Sequence, residues 1–195
     1  MTGAGAHGNF ERCRESLRSL RGRPGFPDTP LLSILDLHLS PEDGTITCGP
    51  EGTPVPGIAP ALFCILDGYA KSHEVPEQFS LLPFEKTPGA SAYSAAFHRR
   101  AILPLAEAFG RDPGRTGTVI ESLRAVPVAF ADLAWKLYPL PRVPVYILFW
   151  DGTGEFPSSA NLLFDASVPA YLETEQIAML GELTAERILA RIATQ

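Results

Sequence analysis

Two segments of alternating apolar residues in the second half of the chain constrain its fold most. They cover residues 133–137 and 143–149, where apolar side chains fall on every other position. A period of two predicts β-strands with one face in a core. The connection over 139–142, Pro-Leu-Pro-Arg, is so short that the two strands should pair antiparallel. We expect a third strand over 161–164. We also expect Pro144 to lie at a sheet edge or towards solvent, because proline has no N–H group for the strand ladder.

Apolar residues at three- and four-residue steps predict helices in much of the remaining chain. The predicted helices cover residues 10–22, 58–69, 90–109, 113–124 and 174–193. Pro104 lies inside the third of these and removes a backbone hydrogen bond, so we expect a kink or a break just before it. The last helix has apolar residues on more than one side, which indicates burial between layers.

Strands and helices are clustered along the chain rather than strictly alternating. Residues 35–39 and 45–48 predict a further hairpin with a tight turn that ends at Gly44. Clustering of this kind is typical of the α+β class, here a mainly antiparallel sheet with several helices packed against it. A length of 195 residues suits a single domain. We expect residues 1–8, which are small and polar, to form a flexible tail, and residues 9–195 to form the domain.

Charge, hydropathy and cysteine content exclude several classes of function. The formal net charge is −6, whereas nucleic-acid binding needs a basic surface. The uncharged stretch 52–66 contains three prolines and is too short to span a membrane. The N-terminus has no secretory leader, so we expect a cytoplasmic protein. Cys13, Cys48 and Cys64 fit neither a disulfide framework nor a metal motif, so we expect no metal site and no bound cofactor.

Basic residues of two predicted helices form a first candidate site. His98, Arg99 and Arg100 lie on the long central helix, and Arg115 lies near the start of the next helix. Arginines and helix N-terminal amides can bind an anion, so these four residues are a candidate anion or ligand site. The alternative is a solvated helix flank whose arginines pair with nearby carboxylates. The arginine-rich segment 11–23 has two similar interpretations, a solvated face or a docking patch for an acidic partner.

Three carboxylates form a second candidate site. Asp151 and Glu155 lie at the end of the predicted hairpin, and Asp165 follows the third predicted strand. If they converge at one sheet edge, they can perform acid–base chemistry or bind a cation. The alternative is that each caps a turn. The sequence contains no nucleophile elbow and no cysteine in a nucleophile context, so we assign no catalytic residue.

Several longer motifs follow one another in a recognisable order. They are Ala-Phe-His-Arg-Arg-Ala-Ile-Leu-Pro-Leu-Ala over 96–106, Phe-Gly-Arg-Asp-Pro over 109–113, Glu-Phe-Pro over 155–157 and Leu-Phe-Asp-Ala-Ser over 163–167. In this order, and over about residues 10–192, the chain resembles the prokaryotic domain-of-unknown-function family 3786. The resemblance implies a protein of anaerobic bacteria or archaea. Some members join this domain to a four-cysteine iron–sulfur module like those of corrinoid proteins, but the three cysteines here cannot supply that module.

These observations lead to one expected function and two alternatives. We expect a soluble, non-catalytic accessory or binding protein that serves anaerobic redox or one-carbon metabolism. Its partner would be an iron–sulfur protein, a corrinoid protein or a small ligand, with no nucleic acid and no membrane. The first alternative is an enzyme that uses Asp151, Glu155 and Asp165 together with the cations of residues 98–100. The second is an interaction module that forms a homodimer through its helices.

Overall fold

The computed structural model describes residues 3–23, 25–152 and 156–194. It contains helices and two antiparallel sheets of four and five strands, which confirms the α+β class. The helices are α1 (Gly3–Ser19), α2 (Ala59–Lys71), α3 (Ser94–Phe97), α4 (Leu103–Arg111), α5 (Pro113–Ser122) and α6 (Thr174–Thr194). The strands are β1 (Leu32–Ile34), β2 (Leu37–Leu39), β3 (Ile46–Cys48), β4 (Thr53–Pro54), β5 (Leu81–Pro83), β6 (Val126–Pro127), β7 (Leu133–Leu140), β8 (Val143–Trp150) and β9 (Ser159–Asp165).

The five-stranded sheet forms one wall of the main core. Its strands lie in the order β5-β9-β8-β7-β6, and the predicted hairpin and third strand are confirmed as β7, β8 and β9. Trp135, Ile147 and Leu162 are aligned across these strands and buried. Phe109 of α4 stacks on Trp135 and on Phe149, with ring centroids 5.7 and 4.5 Å apart. Helix α6 is buried against α2, α4 and α5, as predicted for a helix between layers.

Pro144 is not at a sheet edge, and that prediction is wrong. It is buried in β8, which has β7 on one side and β9 on the other. The β7–β8 register is irregular between Leu137 and Leu140, and the β8–β9 pairing begins only at Val145. A central strand therefore tolerates this proline, because a bulge interrupts the ladder at the residue that has no N–H group.

The long helix predicted over 90–109 is broken just before Pro104, as expected. Between α3 and α4, residues 98–102 form a π-helix, and the N–H of Leu103 donates to the carbonyl of His98. A proline at position 104 cannot donate to the carbonyl of Arg100, so the chain uses wider turns at this point and resumes α-helical geometry at Leu103.

The first helix and the first hairpin differ from their predicted bounds. Helix α1 begins at Gly3 rather than Phe10, so residues 3–8 are helical where a tail was expected. No proline interrupts this run, and Ala4 and Ala6 favour a helix, although Gly3, Gly5 and Gly8 oppose it. The mobility of residues 1–8 stays a prediction. At the hairpin, Leu35 has a φ of 56° and lies in a turn between β1 and β2, so the strand predicted from residue 35 begins at Leu37.

Close packing of α6 against α3 and β9 depends on a glycine. A Cβ atom on Gly181 would lie 2.4 Å from Cε2 of Phe97 and 3.2 Å from Cζ of Phe164. We expect Gly181→Ala to lower the free energy of unfolding by about 1–2 kcal/mol, because overpacking outweighs the helix propensity of alanine. The control is Gly114→Ala in α5, where the nearest atom would be 3.7 Å away, and it should stabilise the fold slightly. Urea denaturation of both variants is the test, and equal effects would contradict the packing argument.

None of the helices in the described ranges is long and apolar enough to cross a membrane.

Candidate functional site

Asp151 and Asp165 lie far apart, so they do not form the predicted carboxylate cluster. Asp151 follows β8, whose last residue pairs with Ser159 at the start of β9, whereas Asp165 is the last residue of β9. At about 3.3 Å per residue, the seven residues of β9 separate the two carboxylates by about 20 Å. Because β8 and β9 are antiparallel, the end of β8 lies next to the start of β9 and far from its end. Glu155 lies outside the described residues.

The predicted cationic site is divided between two places along α6. Arg100 pairs with Glu182 at 3.2 Å, whereas the Arg115 guanidinium donates to the carbonyl of Ile192 at 2.6 Å. Glu182 and Ile192 are about 15 Å apart along the helix axis. His98, Arg99 and Arg100 are exposed on the π-helix. The four residues therefore do not form one anion site, because Arg100 and Arg115 bond parts of α6 that are far apart.

Arginines of α1 and of the turn after it contact acidic residues close by. Arg18 forms an ion pair with Glu42, and Arg14 donates to the Glu42 carbonyl at 3.1 Å. Arg21 lies 3.3 Å from Asp28. These contacts favour a solvated and locally neutralised helix face over a docking patch for an acidic partner.

A different surface combines strained backbone with exposed aromatic rings. It centres on the connection between α2 and β5, which we call the strap (residues 73–80). Phe79 on the strap has a φ of 55° and is 79% exposed. A left-handed conformation is rare for a bulky residue and costs about 1–3 kcal/mol. The strap therefore holds an apolar side chain in solvent at a conformational cost.

Asp165 fixes the backbone on both sides of Phe79. Its carboxylate accepts hydrogen bonds from the N–H groups of Gln78 at 2.9 Å, Ser80 at 3.2 Å and Ser167 at 2.9 Å. Asp165 is fully buried. Burial disfavours the charged form, but the hydrogen bonds from Ser167, Gln78 and Ser80 outweigh it and lower the pKa of this carboxyl. The residue predicted as a reactive carboxylate is therefore a structural anchor for the strap.

Lys136 holds the strap against the outer face of the sheet. Its ammonium donates to Glu77 at 2.6 Å, and the hydroxyl of Tyr138 bonds the other carboxylate oxygen of Glu77. The same ammonium lies 5.5, 4.9 and 5.6 Å from the ring centroids of Phe79, Tyr138 and Tyr146. Burial disfavours the charged ammonium, but the bonds to Glu77 and Tyr138 outweigh it and raise the pKa of Lys136. The positive charge is thus satisfied within the protein.

Exposed rings continue from the strap across the outer face of the sheet. Phe130 packs edge-on against Tyr146 at 5.9 Å and is 53% exposed, and Tyr138 is 43% exposed. At the other end of the strap, the Tyr171 hydroxyl donates to the Val75 carbonyl and accepts from its N–H. We call the group of Phe79, Phe130, Lys136, Tyr138 and Tyr146 the aromatic surface, in which the Tyr146 ring is buried and packs against the exposed Phe130. The strap is bonded to the rest of the fold at Val75 and on both sides of Phe79, and the aromatic surface offers rings rather than net charge.

Sequence reasoning did not find the aromatic surface. Residues 73–80 show neither a helical nor an alternating pattern, so they read only as a linking stretch. Asp165 was singled out, but its role depends on N–H groups more than 80 positions away in the chain. No group of three or more His, Cys, Asp and Glu side chains within the described ranges could hold a metal ion.

The fold and the aromatic surface define an α+β domain that presents rigid apolar side chains. A family described as a domain of unknown function, DUF3786, matches residues 37–187, and the chain belongs to this family. This confirms the resemblance found in the motifs. No curated protein and no solved structure matches the chain.

Proposed function

We propose that this domain is a non-catalytic accessory protein that binds a partner protein through the aromatic surface. The observation that carries the proposal is Phe79, a strained and exposed aromatic residue whose flanking N–H groups are held by a buried carboxylate. Because the ring is exposed, it contributes little hydrophobic stabilisation to offset the strain of the left-handed backbone. Aromatic anchors on a rigid scaffold are, in contrast, typical of the residues that dominate protein interfaces.

The aromatic surface favours a partner with an apolar contact patch. Glu77 neutralises Lys136, and the surrounding groups are phenyl and phenol rings. The aromatic surface is therefore poorly suited to attract a strongly charged partner. It is well suited to bury its rings against an apolar patch on the partner. We propose that this partner is an iron–sulfur or corrinoid protein of anaerobic redox or one-carbon metabolism in the cytoplasm. The support for that identity is the family resemblance and the iron–sulfur modules joined to some of its members.

Phe79 should be nearly dispensable for folding. We expect Phe79→Gly to change the free energy of unfolding by less than about 1 kcal/mol, because relief of backbone strain offsets the lost contact with Lys136 and the entropy of glycine. The buried Phe97→Ala is the contrast and should cost about 3–5 kcal/mol. Urea denaturation measures both. A loss above about 2 kcal/mol for Phe79→Gly would mean that the ring serves the fold.

Binding is tested by placing a photo-crosslinking amino acid at position 79 in cells of the source organism. Phe156 is the matched control position, because it is 71% exposed but lies before β9, at the opposite end of that strand from Asp165. We expect crosslinks to one iron–sulfur or corrinoid protein from position 79 and not from position 156. That purified partner should bind the wild type at least about tenfold more tightly than it binds Phe79→Ser. It should bind Phe156→Ser as tightly as it binds the wild type.

Other outcomes of the crosslinking experiment reject this assignment. Crosslinks from position 79 to a second copy of the chain, together with a dimeric mass in solution, would mean that the surface is a homodimer interface. Crosslinks to a protein without a corrinoid or iron–sulfur centre would refute the proposed partner class. Identical products from positions 79 and 156 would show that the aromatic surface is not a specific site.

A further inference from the structure

We propose that Cys13 and Cys64 form a redox-active dithiol site in the cleft between α1 and α2. The cleft has a volume of about 420 Å³, and both cysteines line it, one from each helix, together with Asn9, Arg12 and Asp67. This inference is independent of the aromatic surface and of the partner proposed for it. It concerns a covalent modification for which the sequence offered no close-spaced cysteine motif.

Cys13 and Cys64 lie on segments of α1 and α2 that pack against each other. The Cys13 thiol donates to the carbonyl of Asn9 at 3.0 Å and lies 3.5 Å from that of Phe10, so it points back towards the preceding turn of α1. At that level, Phe10 contacts Phe63 with ring centroids 5.8 Å apart. Phe63 directly precedes Cys64 in α2. A rotation of the Cys64 side chain into the cleft would therefore bring it towards Cys13.

The two thiols have different roles because their surroundings differ. Cys64 is half-buried, and the side-chain amide of Gln176 donates to its carbonyl at 3.0 Å and lies 3.9 Å from its sulfur. Cys13 is buried, and burial, aided by the charge of Asp67, raises its pKa. A thiolate is the attacking species in disulfide exchange. Cys64 should therefore react first, and Cys13 should resolve the product.

The reaction balances with a small-molecule disulfide as the oxidant. The Cys64 thiolate attacks one sulfur of that disulfide, which forms a mixed disulfide and releases one thiolate. The Cys13 thiol then loses its proton and attacks the Cys64 sulfur, which releases the second thiolate and forms the Cys13–Cys64 bond. The protein loses two electrons and two protons, and the oxidant is reduced to two thiols. The new bond links α1 to α2 across the cleft.

Oxidised glutathione provides a direct test on the folded, full-length chain. After incubation, alkylation and digestion without reductant, mass spectrometry should find a peptide pair joined through Cys13 and Cys64. In Cys13→Ser, we expect glutathione to remain attached to Cys64. In Cys64→Ser, Cys13 should react at least about tenfold more slowly than Cys64 does in the wild type, because it is buried. Cys48→Ser is the matched control and should leave the Cys13–Cys64 bond unchanged.

Three results would overturn the dithiol proposal. The first is glutathione on both cysteines with no internal bond, and the second is a bond that includes Cys48 or joins two chains. The third is a Cys13–Cys64 bond that forms only in urea, since it would then belong to the unfolded chain. Circular dichroism of each serine variant identifies any loss of fold, and a dibromobimane crosslink on the wild-type chain then tests the proximity of the two thiols without a substitution.

Discussion

Asp36→Ala is expected to lower the free energy of unfolding by about 3–5 kcal/mol. Asp36 lies in the turn between β1 and β2 and accepts two hydrogen bonds from Arg187 of α6, at 3.0 and 2.9 Å. Both side chains are more than nine-tenths buried. Arg191 lies 3.7 Å from the same carboxylate. Loss of the carboxylate leaves the Arg187 guanidinium buried without its anion, and the four-stranded sheet loses its ionic contact with α6.

Two further variants separate a buried ion pair from an ion pair in general. Glu182 lies on α6, as Arg187 does, and pairs with Arg100. Arg100 is 61% exposed, so Glu182→Ala should lower the free energy of unfolding by less than about 1 kcal/mol. The double variant Asp36→Ala with Arg187→Met should recover much of the loss, because it removes the unpaired charge as well. Urea denaturation of the three proteins is the measurement. A similar small cost for Asp36→Ala and Glu182→Ala would contradict the argument that burial makes the Asp36–Arg187 ion pair costly to break.

Asp165→Asn is expected to lower the free energy of unfolding by about 3 kcal/mol. The carboxylate accepts three backbone N–H groups, and an amide in its place would direct its own donors at one of them. The control is Asp43→Asn, because Asp43 also accepts a backbone N–H, that of Thr45 at 3.0 Å, but is exposed. Its cost should be below about 1 kcal/mol. Hydrogen exchange should also become faster at Gln78 and Ser80 in Asp165→Asn, and unchanged protection there would contradict the anchoring role.

The same carboxylate predicts a pH dependence with a definite sign. The pKa of Asp165 is lower in the folded chain than in the unfolded chain. Between these two values the unfolded state binds more protons, so stability rises with pH in that interval. The contribution of Asp165 is complete above about pH 4 and is lost as the pH falls through the lower, folded-state pKa. The stability difference between the wild type and Asp165→Asn should therefore shrink below about pH 4, and a constant difference down to pH 2 would contradict the shift.

Long periodic segments could be read from the sequence, whereas short ones could not. The alternation in β7 and β8 and the helical stripe of α2 are local patterns, because each arises from one buried face of one element. Strands β4 and β6 have two residues each and show no period. Their pairing partners, and the bulge that places Pro144 inside the sheet, depend on neighbours elsewhere in the chain.

The candidate site shows the same division. The sequence drew attention to Asp165 and to the arginines of residues 98–100, since charged groups near predicted strand ends and helix flanks are visible in one dimension. Their partners are not visible in this way. Glu182 is 82 positions from Arg100, and Gln78 is 87 positions from Asp165. Only the folded chain shows that one carboxylate anchors a strap and that Arg100 and Arg115 bond separate parts of α6.

By itself, the sequence determined the α+β class, the β7–β8 hairpin, the break before Pro104 and the membership of DUF3786. These depend on periodicity, on a missing N–H group and on motifs, all of which are local properties of the chain. The tertiary structure alone decided which charged groups are paired, where Phe79 is exposed and which cysteines line one cleft. Those properties depend on distances between residues that are remote in sequence. Packing of the common core determines these distances.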